Sequence, residues 1–568
     1  KTQNVAPKIL LSTSCAVLSA FQTTHSSLSC YSVMLAWQTF NALFVIRAVS
    51  KYLVEMVPEF ELCRHLDVQA ERRVGNGPME SRDGLDNTVI ANIHTICLPS
   101  RDNTYYLHLE CINTMLVLMS VYMFAGVHVI VLKMFIFIFS FPAGLWNMIT
   151  FNSTSRQTIY TNPPLDRQEL QERVKKEHPV ANQSCLLLLT LANHCMNDDN
   201  LYRNALLCCE DTAGKKTSLL YDTSKQEYLH KALCATAGCE HSTLLLYLML
   251  HSCNAYKRHI SNVAQIDHLV MPILQVLYNA PDNNNHHIYM SLIVLLILTE
   301  DDQLIKSVHL IMLKNLTWYT ERAISEISLG GLMVLVILRA LQYNMVRVRD
   351  KYLHTNCLAA IANMSCEFRN LHPYVAQRLI SLFETLTKRR ARLCSEIEGK
   401  QLLNSYSNSL LHSCFLCLQM DHISVLDEVL RMLLEIINSC VAHQLSSNCN
   451  VVYALLHKRH LFTQHTHHPV AQNIDMVIGY FSTRLQRVQE GAGGDLGVTE
   501  VLQCIKKGAE QWSSDRLKKF PDLKFRYVEE ERPEEFFTPY VWSLVNSCGG
   551  VYWASEGGAR ALGDLLAC

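Results

Sequence analysis

Charge is what this sequence has little of. Asp, Glu, Lys and Arg make up 18% of its 568 residues, against about 25% in an ordinary globular chain. Fifty basic residues face 51 acidic ones, for a formal net charge of -1, so no global field gathers a polyanion such as nucleic acid. Only a local basic patch stays open. With 49% hydrophobic residues the chain can bury a large core, which excludes disorder over most of its length.

Signatures of chemistry are equally scarce. Gly214-Lys215-Lys216-Thr217 has the wrong order for a phosphate loop and lacks the upstream glycine that lets backbone amides wrap a phosphate. There is no His-Glu-x-x-His zinc helix and no Gly-x-Ser-x-Gly nucleophile elbow, so the metalloprotease and hydrolase-fold readings lose their best signals. No catalytic, cofactor-binding or metal-ligating residue is assigned, and the chain reads as a non-enzyme without a cofactor. Neither a methionine nor a signal peptide opens it; it begins Lys1-Thr2-Gln3, and the expectation is that the true amino terminus lies upstream.

The 22 cysteines run from Cys15 to Cys568 without the even spacing of a small secreted scaffold. Many, such as Cys185, Cys366 and Cys440, sit inside apolar helical runs and read as reduced thiols used as small core residues. Sequons at Asn152, Asn182, Asn315 and Asn363 matter only in the secretory lumen, and Asn363 falls mid-helix, where a glycan has no room. A cytosolic address fits better.

Helical periodicity dominates the rest. From Val425 to Val441 the apolar residues Val425, Leu426, Val429, Leu430, Leu433, Ile436, Ile437, Cys440 and Val441 line one face, with Asp427, Glu428 and Arg431 off it. Similar runs predict helices at Ser184 to Cys195, Ser242 to Ser252, His268 to Tyr278, His287 to Leu298, Ala323 to Leu341, Tyr352 to Met364, Val375 to Thr387, Val451 to Lys458 and Asn473 to Leu485. No comparable set of alternating strands appears. Short polar punctuation, as at Asn279 to Asn285 and Thr299 to Asp302, suits helix-to-helix turns. An asparagine ends three of the runs, Asn193, Asn363 and Asn438. Helical repeats of the armadillo type often carry such a residue, whose amide can reach a neighbouring turn's backbone across the stack; chance recurrence of Ala-Asn is the competing reading. Gly491 to Gly497 and the polar stretch Arg72 to Asn87 read as exposed loops.

Four segments admit two readings each. The run Ile112 to Trp146 carries no formal charge before Lys133 and is apolar enough to span a bilayer. A buried hairpin of core helices is the favoured reading, since His128 and Lys133 are costly in lipid. Cys414-Phe415-Leu416-Cys417, with His412 and His422 nearby, has the spacing of a zinc clamp or redox pair, yet its flanking leucines look like helix core. His457, His460, His465, His467 and His468 are either a metal or pH-sensing cluster or, as favoured, the decoration of a loop. Last, Lys518, Lys519, Lys524 and Arg526 precede Glu529-Glu530-Glu531, Glu534 and Glu535, with Phe520, Phe525, Tyr527, Phe536, Phe537, Tyr540 and Trp542 interleaved. That mixture suits a partner-binding surface or a cap folded over the end of a stack.

Several blocks also carry a likeness. His286-His287-Ile288-Tyr289-Met290, Ile297-Leu298-Thr299-Glu300-Asp301-Asp302, Leu313 to Tyr319, Glu326 to Gly330, Gln342 to Met345 and the string Arg349 to Ala360 closely resemble the dymeclin family. So do Trp37-Gln38-Thr39 with Asn41 to Phe44, Ala181 to Ser184, Val452 to Leu456, and Asp515 to Pro521 through Glu534-Glu535-Phe536-Phe537. The likeness runs from about Trp37 to Trp553 and is strongest from His286 to Phe383. It implies a peripheral protein that moves between cytoplasm and the cytosolic face of the Golgi apparatus and binds the Golgi membrane reversibly. It also implies service to Golgi organisation and vesicle traffic, importance in skeletal and brain development, golgin-type coiled coils among its partners, and no catalysis. The family's Met-Gly myristoylation signal has no counterpart at Lys1, and one myristoyl chain gives only marginal, reversible membrane binding. After Phe124 the chain departs from the family's longer, more polar segment, which reads as alternative splicing or a gene-model error. The tail after Trp553 is atypical, and Cys568 completes no prenylation box.

These readings predict an all-α protein, an armadillo/HEAT-like helical-repeat solenoid. Its expected divisions are an N-terminal helical part (1–111), an apolar segment and divergent linker (112–165), a central solenoid (166–490), a C-terminal helix and acidic, aromatic cap (491–553) and a tail (554–568). The expected function is a non-catalytic scaffold of Golgi organisation and traffic; the alternative is an integral membrane protein spanning at Ile112 to Trp146.

Overall fold

The computed structural model describes residues 33–56, 105–120, 167–194, 200, 202–203, 223–261, 265–280, 285–403, 410–465, 468–492, 496–551 and 553. Arg72 to Asn87, Gly214 to Thr217, the apolar run beyond Ser120, His467, residues 493–495, the side chains of His412, Cys414 and Cys417, and the tail after Trp553 lie outside them. The described residues are almost wholly α-helical, and they gather into two compact units.

The first unit comprises Lys1–His259 and Glu529–Cys568. Its described helices are α1 (Val33–Met56), α2 (Tyr105–Met119), α3 (Arg167–Glu177), α4 (Pro179–His194), α5 (Thr223–Thr236), α6 (Glu240–Ser252), most of α7 (Asn254–Ser261) and, near the end of the chain, α18 (Pro533–Cys548). Helix α4 starts on a proline, whose fixed φ suits the first helical position, and is buried from Val180 to Asn193, as a central helix is. It packs against α2, α3, α6 and α18. Helix α2 is similarly buried, from Ile112 to Met119 without a break, so the described start of the apolar run is protein core. Arg47 on α1 pairs with the buried Glu110 on α2, and burial raises the Glu110 pKa against the opposing pull of Arg47.

The second unit is Ile260–Val528. It holds α8 (Asp267–Tyr278), α9 (Asn285–Leu298), α10 (Asp302–Val308), α11 (Leu329–Tyr343), α12 (Lys351–Ser365), α13 (Pro373–Leu403), α14 (Leu410–Gln444), α15 (Cys449–His457), α16 (Pro469–Ala492) and α17 (Val498–Glu510). Contacts arrange these in pairs: α8 with α9, α11 with α12, α13 with α14, and α15 with α16. Each helix also touches its counterpart in the next pair, giving one row α8, α11, α13, α15, α17 and a second row α9, α12, α14, α16. Helix α11 with the π-turn that follows, Leu329–Val348, is long and apolar enough to cross a membrane, and 78% of that window is buried within the protein.

Most of the predicted helices are present, several longer than the apolar periodicity suggested. The exception is the start at Ala323: Glu326–Ser328 is strand β2, paired antiparallel with β1 (Met312–Lys314), and α11 begins at Leu329 under an N-cap from Ser328. The hairpin brings Trp318 and Tyr319 onto Tyr278, with Arg339 stacked 4.3 Å from the Tyr278 ring centroid. Asn182 and Asn363, two of the sequon residues, are both buried, each with its amide hydrogen-bonded to a backbone carbonyl. The twelve cysteines whose side chains are described are free thiols, and burial pushes the Cys440 thiol up to about 12.

Candidate interaction surface

The second row of the second unit carries polar residues near corresponding places: Thr299 after α9, Asn363 on α12, Asn438 on α14 and Asn473 on α16. All four are at most 5% exposed. An amide in that position must be paired, because a buried unsatisfied group costs about 1–3 kcal/mol. The partner is a segment with neither helix nor strand, Leu517–Val528, hereafter the strap.

Two residues of the strap are clasped in the same way. Asn473 donates through Nδ2 to the Lys518 carbonyl at 2.9 Å and accepts the Lys518 N–H at 2.9 Å. Asn363 donates to the Phe525 carbonyl at 2.9 Å and accepts the Phe525 N–H at 2.7 Å. Each amide satisfies both backbone groups of one residue, much as a neighbouring strand would. Asn438 supports the first clasp, its Oδ1 accepting from Asn473 at 2.9 Å. Tyr527 donates its backbone N–H to Glu300 Oε1 at 2.9 Å.

The spacing follows from helix packing. Helices α12 and α16 are separated by α14, two interaxial steps of about 8–10 Å each, and the seven steps along the chain from Lys518 to Phe525 span about 23 Å when extended. Exposure confirms the extended conformation: Leu523, Phe525 and Tyr527 are half-buried while Lys524, Arg526 and Val528 are exposed, the period of two of a strand. Charges add to the hold. Lys524 pairs with Asp302, Lys518 Nζ donates to Gln472 at 2.6 Å, and His443 lies 3.3 Å from Asp522. Such exposed contacts are worth at most about 1 kcal/mol each.

In the first unit the acidic, aromatic block folds inward. Glu529 accepts from Arg203 Nη1 and from Tyr247 OH, both at 2.8 Å, and Tyr247 stacks on Phe537 at 5.4 Å. Phe537, Tyr540 and Trp542 are buried. That part of the block is core, and Glu530, Glu531 and Glu535 are exposed.

Of the three asparagines singled out by sequence, Asn363 holds the strap directly and Asn438 holds it through Asn473. Asn193 does neither; it donates to Leu189 on its own helix and accepts from Arg203 at 3.0 Å. Asn473 was missed as a polar contact, because Ala471-Gln472-Asn473 opens an apolar run instead of closing one. Among the described residues no group of three or more His, Cys, Asp and Glu is placed to hold a metal. The histidines near α15 are separate: His457 stacks on Tyr453, His465 packs on Phe383, His460 is exposed, and His468 Nδ1 accepts from Val470 at 3.4 Å.

Comparison with known proteins agrees with the likeness drawn from the motifs. The sequence model of the family described as "Dymeclin: Dyggve-Melchior-Clausen syndrome protein" matches residues 8–129 and 126–544, two stretches that meet within the apolar segment where the family pattern is left. The chain is 43% identical to Dymeclin of Drosophila melanogaster over 599 aligned residues, covering 92% of this chain and 85% of that protein. It is 40% identical to Dymeclin of Mus musculus over 590, covering 94% and 86%. Dymeclin of Dictyostelium discoideum is 26% identical over 399, covering 58% and 42%.

Proposed function

This chain belongs to the dymeclin family, and on that premise we propose that it is a non-catalytic scaffold which holds partner proteins at the cytosolic face of the Golgi. Its helix pairs form an armadillo/HEAT-like stack whose working parts are surfaces, and it attaches to the membrane peripherally and reversibly, in the service of Golgi organisation, vesicle traffic and, through them, skeletal and brain development. Golgin-type coiled coils are its expected partners. The observation that carries this reading is the row of helices α12, α14 and α16, whose buried amides hold an extended backbone segment.

A photobleaching measurement on the tagged full-length protein tests it. Golgi signal that recovers from the cytoplasm within minutes, without vesicle traffic, supports a reversibly bound scaffold. A signal that survives alkaline extraction and does not exchange means that Ile112 to Trp146 spans the membrane, and the scaffold reading fails. The inward burial of Ile112 to Met119 favours the first outcome.

A further inference from the structure

We propose that the amide row Asn363, Asn438 and Asn473 is a groove that reads peptide backbone, that the strap is its resident occupant, and that an extended cationic segment of a partner protein displaces it. This deepens the scaffold reading and rests on it only for the existence of a partner.

Three observations carry the proposal. First, the contacts that fix the strap are to backbone: both polar groups of Lys518 and both of Phe525, with the Tyr527 N–H as a fifth. Any extended chain presents the same groups at the same spacing, so these bonds exchange one for one with those of another peptide. Second, the strap contributes little to the core. Between Leu517 and Val528 only Leu517 is buried, and Val528 is 80% exposed. The helices beneath it are packed by their own apolar faces. Third, the groove is acidic where the strap is basic: Glu300 and Asp302 line the end that takes Tyr527 and Lys524. The matching ligand is an extended segment with a cation one residue before the backbone unit that Asn363 clasps.

The resident strap also has a physical task. Asn363 and Asn473 are fully buried, and a vacated groove would leave their amides seeking partners. A tethered segment meets that need at an effective concentration of the order of millimolar, so a free peptide competes poorly until the strap is weakened.

The experiment uses a fluorescent synthetic peptide of the sequence Lys518 to Val528 and the purified full chain. The Phe525→Pro variant removes the N–H that Asn363 accepts and leaves every groove residue in place. Fluorescence anisotropy is expected to show at least tenfold tighter peptide binding to this variant than to the unaltered chain. Peptides N-methylated at the Phe525 or the Arg526 position are then compared on both proteins: the first loses binding at least tenfold, and the second, whose N–H makes no groove contact, does not. A Lys524→Glu peptide binds more weakly than the parent. Equal peptide affinity for the two proteins, or equal effects of the two N-methyl groups, overturns the proposal. Because the N-methyl pair is also read on the unaltered chain at high concentration, misfolding of Phe525→Pro would not shield it. Peptide binding in solution by a protein that does not exchange at the Golgi would retain the groove and dismiss the scaffold reading.

Discussion

Two histidines set how single residues make this protein sensitive to acid. His241 on α6 and His309 after α10 are buried away from water, and burial depresses the pKa of each to about 4 from a normal 6.5. An unfolded chain takes up protons on both as pH falls below 6.5 while the folded chain does not until about 4, so stability present at neutral pH is lost across that window. Between pH 7.5 and 5 each contributes a loss on the order of 2 kcal/mol. Urea unfolding followed by circular dichroism at the two pH values should show it, and His309→Leu should shrink the difference; an unchanged difference would remove His309 from the account. His309 also fixes its neighbour. A Cβ on Gly330 would sit 2.5–2.9 Å from its imidazole, so Gly330→Ala should destabilise by about 1–3 kcal/mol through overpacking, seen as a lowered thermal midpoint. The sequence marks Gly330 only as part of a family block. Its crowding comes from His309, 21 positions earlier, and no local pattern reports it.

At the scale of elements, the caps decide where helices start. Asp350 caps α12 by accepting the Leu353 N–H at 3.1 Å and also accepts from Tyr289 on α9, while Asn344 clasps its backbone at 2.7 and 2.9 Å. Asp350→Ala should cost about 1 kcal/mol for the cap and speed hydrogen exchange at Leu353, whereas Asp350→Asn should retain most of the protection; equal exchange in both variants would place the stability elsewhere. The apolar face from Tyr352 to Met364 made the helix itself legible, within a residue of its observed bounds Lys351–Ser365, but not the cap that starts it. Helices α13 and α14 were legible only in part. Their apolar faces predicted Val375 to Thr387 and Val425 to Val441, but α13 continues to Leu403 and α14 begins at Leu410. The extension of α13 is rich in Arg and Lys, which favour helix by propensity and give no apolar stripe. The hairpin Met312–Lys314 with Glu326–Ser328 was not legible, because three-residue strands fall below the length at which alternation can be read.

For the whole molecule, sequence alone determined the class and the kinship. Apolar stripes at helical spacing, short polar turns and the absence of alternating strands fix an all-α protein, since those are local properties of the chain. The ordered blocks from Trp37 to Phe537 fix the family. Sequence also pointed to Asn363 and Asn438 as unusual, through an amide at the end of an apolar run. What only the tertiary structure decided is where those amides go. Asn363 and Phe525 lie 162 residues apart, and Asn473 and Lys518 lie 45 apart, distances over which no periodicity carries information. The same holds for the first unit, which joins Glu529–Cys568 to Lys1–His259: the half-buried Arg203 and Glu529 and the buried Tyr247 meet there because charge and hydroxyl groups withdrawn from water must find partners wherever the packed helices place them. Helix formation is settled by neighbours three and four residues away. The identity of a buried amide's partner is settled by packing, and a strap that binds through its backbone leaves almost no trace of that role in its side chains.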